Sequence, residues 1–145
     1  MREIKFRAYL KDEKKFVDIV SINFDIQMIL FYDKLYEMCR GRKFKDFELM
    51  QFTGLYDRNG KEIYEGDIVK LYKPELKIEW TAIVEFGNPN GVYNWGYQLK
   101  PITNNAIIYH YNSDILCWVG MEDINVYCEV IGNIYENPEL VGETK

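Results

Sequence analysis

The stretch that decides the fold is LMQFTGLYDRNGKEIYEGDIVKL, residues 49–71. It places two reversal signals between short apolar runs. Asn59-Gly60 predicts a two-residue type I′ hairpin turn, because Asn and Gly best tolerate the positive φ angles which that turn requires. Gly66-Asp67 predicts a second reversal, in which Gly66 takes the unusual dihedral and Asp67 bonds amides of its own turn. Three strands joined by two tight turns form a meander, which predicts a small barrel or sandwich.

Two carboxylates of this block, Glu65 and Asp67, are close enough in sequence to suggest an acid/base pair or ligands for a hard metal ion. No neighbouring residue completes such a site. Turns recruit Asp and Gly for backbone reasons alone. We therefore interpret residues 65–67 as a solvated turn.

Folding explains three residues of the block less easily than the others. Tyr56, Arg58 and Tyr64 flank the first turn, and we expect them to face outward. We take these three as candidate binding residues.

The N-terminal third predicts a hairpin followed by a helix. Alternation of apolar and charged residues indicates strands over 3–9 and 16–23, joined by the charged turn 11–15. Residues 25–40 lack clean alternation. Ile26, Ile29, Leu30 and Tyr36 lie roughly on one helical face, which predicts an α-helix around 26–39. Asp25 is its expected N-cap and Gly41 its expected C-cap.

The basic run that follows this predicted helix is RGRKFK, residues 40–45. Such a run can contact phosphate or an acidic partner. The favoured interpretation is a helix terminus and solvated loop.

The second half of the chain predicts an aromatic hairpin and a closing strand. Residues 78–86 and 93–99 alternate around the turn cluster 87–91, and residues 126–134 alternate again. A short helical turn is expected at 121–124, and the tail 139–145 is expected to be loose. Tyr93, Trp95 and Tyr97 either fill the barrel core, which is the favoured interpretation, or form a stacking platform for single-stranded nucleic acid.

Composition predicts one folded domain over residues 1–145. Apolar residues make up 48% of the chain and aromatic residues 16%, which is enough for an independent core. The N-terminus has no apolar signal region, and no stretch approaches the ~20 apolar residues that span a bilayer. We therefore expect a cytoplasmic protein.

Catalytic and metal chemistry find little support. The three cysteines, Cys39, Cys117 and Cys128, are widely spaced and are expected to be free thiols. His110 is the only histidine, which argues against zinc and leaves a nucleophilic triad dependent on that one residue. No nucleotide-binding glycine motif is present. We predict no enzyme, no cofactor and no metal, with carboxylate-based hydrolysis as the weakest hypothesis.

Charge is distributed unevenly along the chain. The net charge is −5, yet residues 1–15 sum to +3 and residues 112–145 to −6. Opposite charges at the two ends predict that they meet, within one chain or between subunits. The equal alternative is that both are solvated faces. An acidic chain is also repelled by polyphosphate, which places nucleic acid behind protein as a partner.

The chain resembles the YopX family, small proteins encoded mostly by bacteriophages and prophages. The resemblance is carried by the central motif LMQFTGL, Asp57 and NGKEIYEGDIV (49–55, 57 and 59–69), by the opening REIKFRA (2–8) and by the ending VIGNIYENPEL (130–140). It departs at Tyr9-Leu10-Lys11, where relatives commonly show Trp-Asp. The resemblance implies a mainly β pseudo-barrel with helical additions, and it implies no activity.

These observations together predict a mainly β domain. We expect a small, partly open barrel of antiparallel strands with one helix around 26–39 and short helical additions. The predicted role is a phage or prophage accessory protein that binds a protein partner or assembles with itself. A single-stranded nucleic-acid-binding barrel is the alternative.

Overall fold

Antiparallel strands dominate the computed structural model, which describes residues 3–74, 77–87, 96–102 and 127–142. The chain forms two compact units, unit 1 (Met1–Phe52) and unit 2 (Thr53–Lys145). The mainly β, antiparallel prediction is confirmed. Neither sheet closes on itself within the described residues, and the predicted partly open barrel fits this arrangement.

Unit 1 carries the first five strands of a six-stranded sheet, in the order β4-β3-β2-β1-β5; the sixth strand pairs with β5 and belongs to unit 2. The bounds are β1 Phe6–Leu10, β2 Lys15–Asn23, β3 Met28–Asp33, β4 Met38–Lys43 and β5 Phe47–Tyr56, with a 3-10 turn at Phe44–Asp46. β5 begins in unit 1 and continues into unit 2.

The predicted N-terminal hairpin is confirmed. β1 pairs antiparallel with β2, with Ala8 opposite Val17, and on its other side with β5. Its apolar residues enter a core of buried side chains that belong to three strands of the sheet, β1, β3 and β5. These are Ala8, Leu10, Ile29, Phe31 and Phe47.

The helix predicted around 26–39 is wrong. This segment is the β3–β4 hairpin, paired from Met28 opposite Lys43 to Asp33 opposite Met38. Gln27 and Glu37 take φ angles of 52° and 51°, which reverse the chain and are incompatible with a continuous helix. Asp33 Oδ1 accepts the amide of Leu35 at 2.9 Å and opens the turn at 34–37. The expected C-cap Gly41 lies inside β4.

Unit 2 contains a second sheet in the order β10-β7-β8-β9. The bounds are β6 Glu62–Tyr64, β7 Asp67–Lys73, β8 Ile78–Gly87, β9 Gly96–Pro101 and β10 Cys128–Asn133. These positions confirm the predicted strands at 78–86 and 126–134. Pairing of β8 with β9 confirms the predicted hairpin for the residues that are described. The turn cluster from 88 onward and the predicted helical turn 121–124 lie outside the described residues.

Both faces of the second sheet are covered. Val69, Leu71 and Trp80 belong to one buried cluster, whereas Ile68 and Ile83 belong to another. A four-residue helix, Glu139–Gly142, packs Leu140 and Val141 against the second cluster. The prediction of a loose tail is therefore wrong for residues 139–142, because this helix covers apolar surface. Residues 143–145 lie outside the described part.

The first turn of the central block differs from the predicted type I′ turn. Gly60 has a φ of 78°, but Asn59 does not share a positive φ. Five residues separate β5 from β6, and the amide of Gly60 donates to the carbonyl of Asp57 at 3.0 Å. The loop is built on Asp57, which is only 4% exposed although it is a charged residue beside a turn.

The second turn is also tighter in packing than predicted. Gly66 takes the expected positive φ of 85°, and Asp67 Oδ2 accepts the amide of Tyr64 at 2.8 Å. Asp67 is 1% exposed, so the solvated-turn interpretation is wrong, while the backbone role of Asp67 is confirmed. The predicted three-strand meander is interrupted here: β6 pairs with β5, whereas β7 pairs with β8 and β10.

Candidate protein-interaction surface

The sheet formed by β2, β3 and β4 has one covered face and one open face. Ile29 and Phe31 of β3 are fully buried, whereas Leu30 and Tyr32 are 44% and 50% exposed. Neighbouring residues of a strand point to opposite faces, so this alternation separates an inner from an outer side. We call the outer side the outer face. Its apolar residues are Val20, Met28, Leu30, Tyr32 and Cys39, and the register adds the polar residues Ser21, Asn23 and Lys43.

A β-bulge enlarges the outer face. Ile19 pairs with Phe31 and Ser21 with Leu30, which leaves Val20 as the extra residue of β2. Two residues of a bulged strand oppose one on its partner. Val20 therefore stands beside Ser21 across from Leu30, and it is 63% exposed.

Gly41 lies under two side chains of the outer face. A Cβ atom at this position would meet Met28 Cε at 3.0 Å and Leu30 Cδ2 at 3.4 Å. The missing side chain thus allows Met28 and Leu30 to lie flat against β4. The outer face is consequently smooth and apolar where β3 and β4 meet.

The turns that join these strands also expose apolar side chains. The β2–β3 turn exposes Phe24 and Ile26, and the β3–β4 turn exposes Leu35 and Tyr36. Most of the large apolar side chains that are exposed in the described residues lie in unit 1. Contiguous exposed apolar surface is typical of interaction sites.

The inner side of β4 is held by ion pairs. Arg40 Nη1 donates to Asp33 Oδ2 at 2.7 Å, and Arg40 Nη2 to Glu13 Oε1 at 2.6 Å. Arg42 Nη2 reaches the same Glu13 oxygen at 2.5 Å and Asp12 Oδ2 at 3.0 Å. We call Asp12, Glu13, Lys15, Asp33, Arg40 and Arg42 the arginine clamp; Lys15 Nζ completes it with bonds to Glu13 at 2.7 Å and Asp33 at 3.1 Å.

The arginine clamp sets the ionisation of its carboxylates. Hydrogen bonds from Arg40 are the main cause that lowers the pKa of Glu13 to about 2 and that of Asp33 to about 2. The hydrogen bond from Arg42 likewise lowers the pKa of Asp12. Glu13 and Asp33 in return hold the pKa of Arg40 above its usual value. The whole clamp is charged at neutral pH.

Arg40 and Arg42 also contact aromatic rings. The guanidinium carbons of Arg40 and Arg42 each lie 5.8 Å from the ring centre of Phe31, and that of Arg40 lies 5.0 Å from the ring of Tyr36. Such cation–π contacts add to the ion pairs and restrict the arginine side chains. The predicted basic run 40–45 is therefore a strand and a 3-10 turn, with both arginines engaged in unit 1.

An apolar groove of about 340 Å³ opens elsewhere in unit 1. Phe44 stacks edge-on against Phe24 and Phe47, with ring centres 6.0 and 5.7 Å apart. Glu48 at its rim pairs with Lys11 at 3.1 Å. The remaining lining residues are Ile22, Ile29 and Leu49. The groove can accommodate an apolar side chain, and it lies beside inner-side residues.

The sequence-predicted candidates around the first turn separate in the structure. Tyr56 and Arg58 are exposed as expected, whereas Tyr64 is 3% exposed and does not face outward. Its hydroxyl donates to Glu62 Oε2 at 2.8 Å. These residues belong to unit 2 and not to the outer face.

The aromatic candidates of the second half are only partly described. Tyr97 is half-buried, packs against the cluster that contains Leu99, and makes an edge contact with exposed Phe86 at 5.1 Å between ring centres. Tyr93 and Trp95 lie outside the described residues, as do His110 and Cys117. The position of Tyr97 agrees with the core interpretation for that residue.

The buried acidic groups of unit 2 serve the backbone. The Asp57 carboxylate accepts amides of Asn59, Lys61 and Val130 at 2.8, 2.9 and 3.0 Å. Burial opposes ionisation, but these amides outweigh it and lower the pKa of Asp57. Glu65 and Asp67 form no metal-binding group with other acidic, Cys or His residues in the described segments.

The cysteines occupy contrasting positions. Cys39 is exposed on the outer face, and Cys128 is buried in β10. Burial, reinforced by the negative charges of Asp57, Asp67 and Glu129, raises the pKa of the Cys128 thiol to about 12. Neither described cysteine forms a disulfide, as predicted.

The outer face was missed by the sequence analysis. The alternation of buried Ile29, Phe31 and Asp33 with exposed Leu30 and Tyr32 is a strand pattern that the helical interpretation hid. The turn gave little signal, because residues 34–37 are Lys-Leu-Tyr-Glu and include none of the Gly, Pro, Asn or Asp residues that mark a hairpin turn.

Comparison with known proteins agrees with this fold. The family model described as YopX protein matches residues 5–142. The chain belongs to the YopX family. No curated protein is significantly similar to it.

Two solved structures share the fold of this YopX-family chain. The crystal structure of protein EF1440 from Enterococcus faecalis has a TM-score of 0.57 at 21% identity, covering 97% of this chain and 99% of that one. The structure of protein yopX from Bacillus subtilis has a TM-score of 0.54 at 18% identity, covering 97% and 98%. At this identity the likeness shows the fold alone. None of the described helices has the length and apolar character needed to cross a membrane.

Proposed function

We propose that this YopX-family protein binds a protein partner through the outer face of unit 1. It would act as an accessory protein of a bacteriophage or prophage, in the cytoplasm of the bacterial host. The observation that carries the proposal is the exposure of Val20, Leu30 and Tyr32 on a sheet whose other face is packed. Apolar strand surface exposed in this way is stabilised when a partner removes it from water.

The comparison between the two sheets supports this choice. The second sheet buries apolar residues on both faces, including a face covered by Leu140 and Val141. The sheet of unit 1 leaves its outer face apolar and open among the described residues. Leu30 and Tyr32 are 44% and 50% exposed, so burying the rest of each side chain in an interface would contribute about 1 kcal/mol.

Affinity capture with matched variants tests the proposal. The immobilised protein is incubated with host lysate, with and without phage infection, and retained proteins are identified by mass spectrometry. The double variant Leu30→Lys with Tyr32→Lys should lose the partner, because buried lysines must be desolvated. Tyr72→Lys is the control, since Tyr72 is a strand tyrosine of similar exposure in unit 2.

Titration of the purified partner decides the result. We expect binding to the double variant to be at least about tenfold weaker, and binding to Tyr72→Lys to match the wild type. Equal affinity for all three proteins would refute a binding role of the outer face.

Single-stranded nucleic acid is the second candidate. Exposed Tyr32 and Tyr36 stand near Lys34 in the sequence of the β3–β4 hairpin, and rings beside cations can stack bases. Protein is preferred because Arg40 and Arg42 are already paired and the chain carries a net charge of −5. A fluorescence-quenching titration with oligonucleotides at about 50 mM salt tests this alternative, which requires a saturable change that Tyr32→Ala abolishes.

A further inference from the structure

We propose that the partner of the outer face contributes an extended acidic segment, which adds to the sheet of unit 1 as a new strand along β4. This inference rests on the proposed function and deepens it by naming the chemistry of the partner. Strand addition gives affinity through main-chain hydrogen bonds, and alternate side chains give specificity.

β4 offers an open backbone edge. It is the terminal strand of the sheet order, and no described strand pairs with its far side. The amide of Phe44 donates to the carbonyl of Gln27 at 2.9 Å, next to the pair Met28–Lys43. Bonded pairs recur at every second residue of an antiparallel ladder. The backbone amides and carbonyls of Arg42, Arg40 and Met38 therefore form the hydrogen bonds to β3.

Backbone groups along β4 point alternately toward β3 and toward the open edge, which determines the groups that an added strand could bond. The amides and carbonyls of Cys39, Gly41 and Lys43 point away from β3, toward the open edge. The carbonyl of Gly41 already accepts Arg42 Nη1 at 2.9 Å, so an added strand would bond the remaining amides and carbonyls in register. Its residues on the outer side would lie beside Cys39, Gly41 and Lys43, next to the apolar surface of Leu30 and Met28.

The ion pairs of the arginine clamp hold β4 in an ordered conformation. Arg40 and Arg42 turn to the inner side and bond Glu13, Asp33 and Asp12, so β4 is tied to the β1–β2 turn by side chains. A strand that is already ordered loses little conformational entropy when a partner adds to it.

The edge of β10 in the second sheet differs from that of β4, because its backbone groups already have hydrogen-bond partners. Its outward groups are occupied: the carbonyl of Cys128 accepts the amide of Arg58 at 2.9 Å, and the amide of Val130 donates to Asp57 Oδ2 at 3.0 Å. Farther along, Asn137 Oδ1 accepts the amide of Asn133 at 3.3 Å. Proteins commonly block edges that would otherwise pair with another chain. On β4 only one outward group is occupied among the described residues: the carbonyl of Gly41 accepts Arg42 Nη1 at 2.9 Å.

Charge favours an acidic segment as the occupant. Lys34 and Lys45 flank β4 and Lys43 is its last residue; none of the three forms an ion pair with another described residue. Residues 1–52 carry eleven Lys and Arg against nine Asp and Glu, a net charge of +2. A second copy that paired β4 with β4 would bring these cations together, which is repulsive. An added strand with acidic residues would instead approach Lys34 and Lys45, which lie just beyond the two ends of β4.

Designed peptides test the recognition chemistry on the full chain. The probe is a fluorescein-labelled peptide of the length of β4 with alternating Glu and Val, and its counterpart has Lys at each Glu position. Fluorescence anisotropy should show binding of the Glu peptide at least about tenfold tighter than of the Lys peptide. Raising salt from about 50 mM to about 300 mM should weaken the Glu peptide. Equal binding of both peptides would overturn the proposal.

Substitutions at Cys39 test strand addition itself. Cys39→Pro removes an amide that points to the open edge, a place where edge strands tolerate proline. Binding of the Glu peptide should fall about tenfold or more, whereas Cys39→Val keeps the amide and should bind within about twofold of the wild type. If circular dichroism shows that Cys39→Pro is unfolded, Lys43→Glu replaces it, with Lys77→Glu of unit 2 as its control and the same loss expected.

The outcomes separate this inference from the proposed function. Unchanged peptide binding by the Cys39→Pro or Lys43→Glu variant would overturn strand addition, while loss of the captured partner by the Leu30 and Tyr32 variant would still support the outer face. Stronger competition by an oligo-dT strand than by the Glu peptide would identify nucleic acid as the occupant instead. A salt-sensitive dimer in light scattering that Cys39→Pro dissociates would identify a second copy. Either result would overturn the acidic segment.

Discussion

The Asp57 carboxylate accepts a hydrogen bond from the amide of Val130 at 3.0 Å, although 73 positions separate the two residues. The same carboxylate also accepts amides of Asn59 and Lys61 within its own loop. One buried acidic side chain thus shapes the first turn of the central block and binds it to the edge of β10. This contact explains why the turn differs from the two-residue hairpin that Asn59-Gly60 predicts.

Asp57→Asn is expected to destabilise the protein by about 1–3 kcal/mol. An amide group can replace one accepting oxygen but turns a donor toward the backbone amides that the other oxygen satisfied. Urea unfolding at neutral pH measures the loss. Asp18→Asn on the exposed surface of β2 is the control and should change stability by less than about 0.5 kcal/mol. Equal effects of the two variants would contradict the role of Asp57.

The same substitution should reduce sensitivity to acid. The pKa of Asp57 is lower in the folded protein than in the unfolded chain. Its contribution to stability is therefore present above the unfolded value of about 3.9 and is lost as the pH falls through the folded pKa. Unfolding free energies of Asp57→Asn should depend less on pH below about 4 than those of the wild type. Parallel profiles for both proteins would argue against ionised Asp57 as the cause.

Gly60→Ala is expected to cost about 1–2 kcal/mol of stability. Gly60 has a φ of 78°, which side chains with a Cβ atom rarely adopt, and no atom lies within 4 Å of an added Cβ. The cost is therefore one of backbone conformation alone. Gly142→Ala, also in open space but without a positive φ, is the control and should be nearly neutral. Gly60→Asn should recover part of the loss, because Asn tolerates this region better. A neutral Gly60→Ala would contradict the turn geometry.

Arg40→Met should lower the melting temperature at neutral pH and flatten its dependence on acid. In the wild type, Glu13 and Asp33 have pKa values of about 2, depressed from 4.5 and 3.8 chiefly by Arg40. A depressed carboxylate pKa stabilises the fold above the unfolded pKa, and this contribution disappears as the pH falls toward about 2. The variant lacks the guanidinium, so acid should remove less stability from it. Thermal denaturation between pH 7 and pH 2 measures both effects, with Arg58→Met as the exposed control; equal pH profiles for the two variants would exclude the clamp as their source.

Native thiol labelling should distinguish the two described cysteines. Cys39 is exposed, whereas burial and nearby carboxylates raise the pKa of Cys128 to about 12. Thiolate is the reactive form, so iodoacetamide should modify Cys39 in the folded protein and Cys128 only after unfolding in urea. Peptide mass spectrometry assigns the modified site. Fast modification of Cys128 under native conditions would show that β10 opens.

Local patterns predicted the strands wherever a strand has one wet and one dry face. The alternation in 3–9 and 16–23 led directly to the β1–β2 hairpin. The same rule failed at 28–33, because Leu30 and Tyr32 are apolar and exposed, so both faces of β3 carry hydrophobic residues. An apolar face without a cover imitates a helical stripe in sequence. That failure concealed the outer face.

The roles of Asp57 and Tyr64 in the central block depend on contacts that cannot be predicted from the local sequence. Asp57 is a charged residue beside a turn, and its bond to the distant amide of Val130 does not follow from the local sequence. Tyr64 was expected outside, and its amide is held by Asp67 inside unit 2. Local sequence cannot reveal a partner that lies far along the chain, because the free energy of such a contact depends on the folded arrangement.

The sequence by itself determined the β class, the family, the N-terminal hairpin and the glycine at each reversal of the central block. These features depend on side-chain periodicity, residue types at a few positions and φ angles that only a few residues adopt, all of which are local. The tertiary structure alone decided that residues 28–43 form a hairpin, that the outer face is uncovered, and that the edge of β10 is capped while that of β4 is open. Those properties depend on which surfaces are brought together and which are left in water, and distant residues determine both.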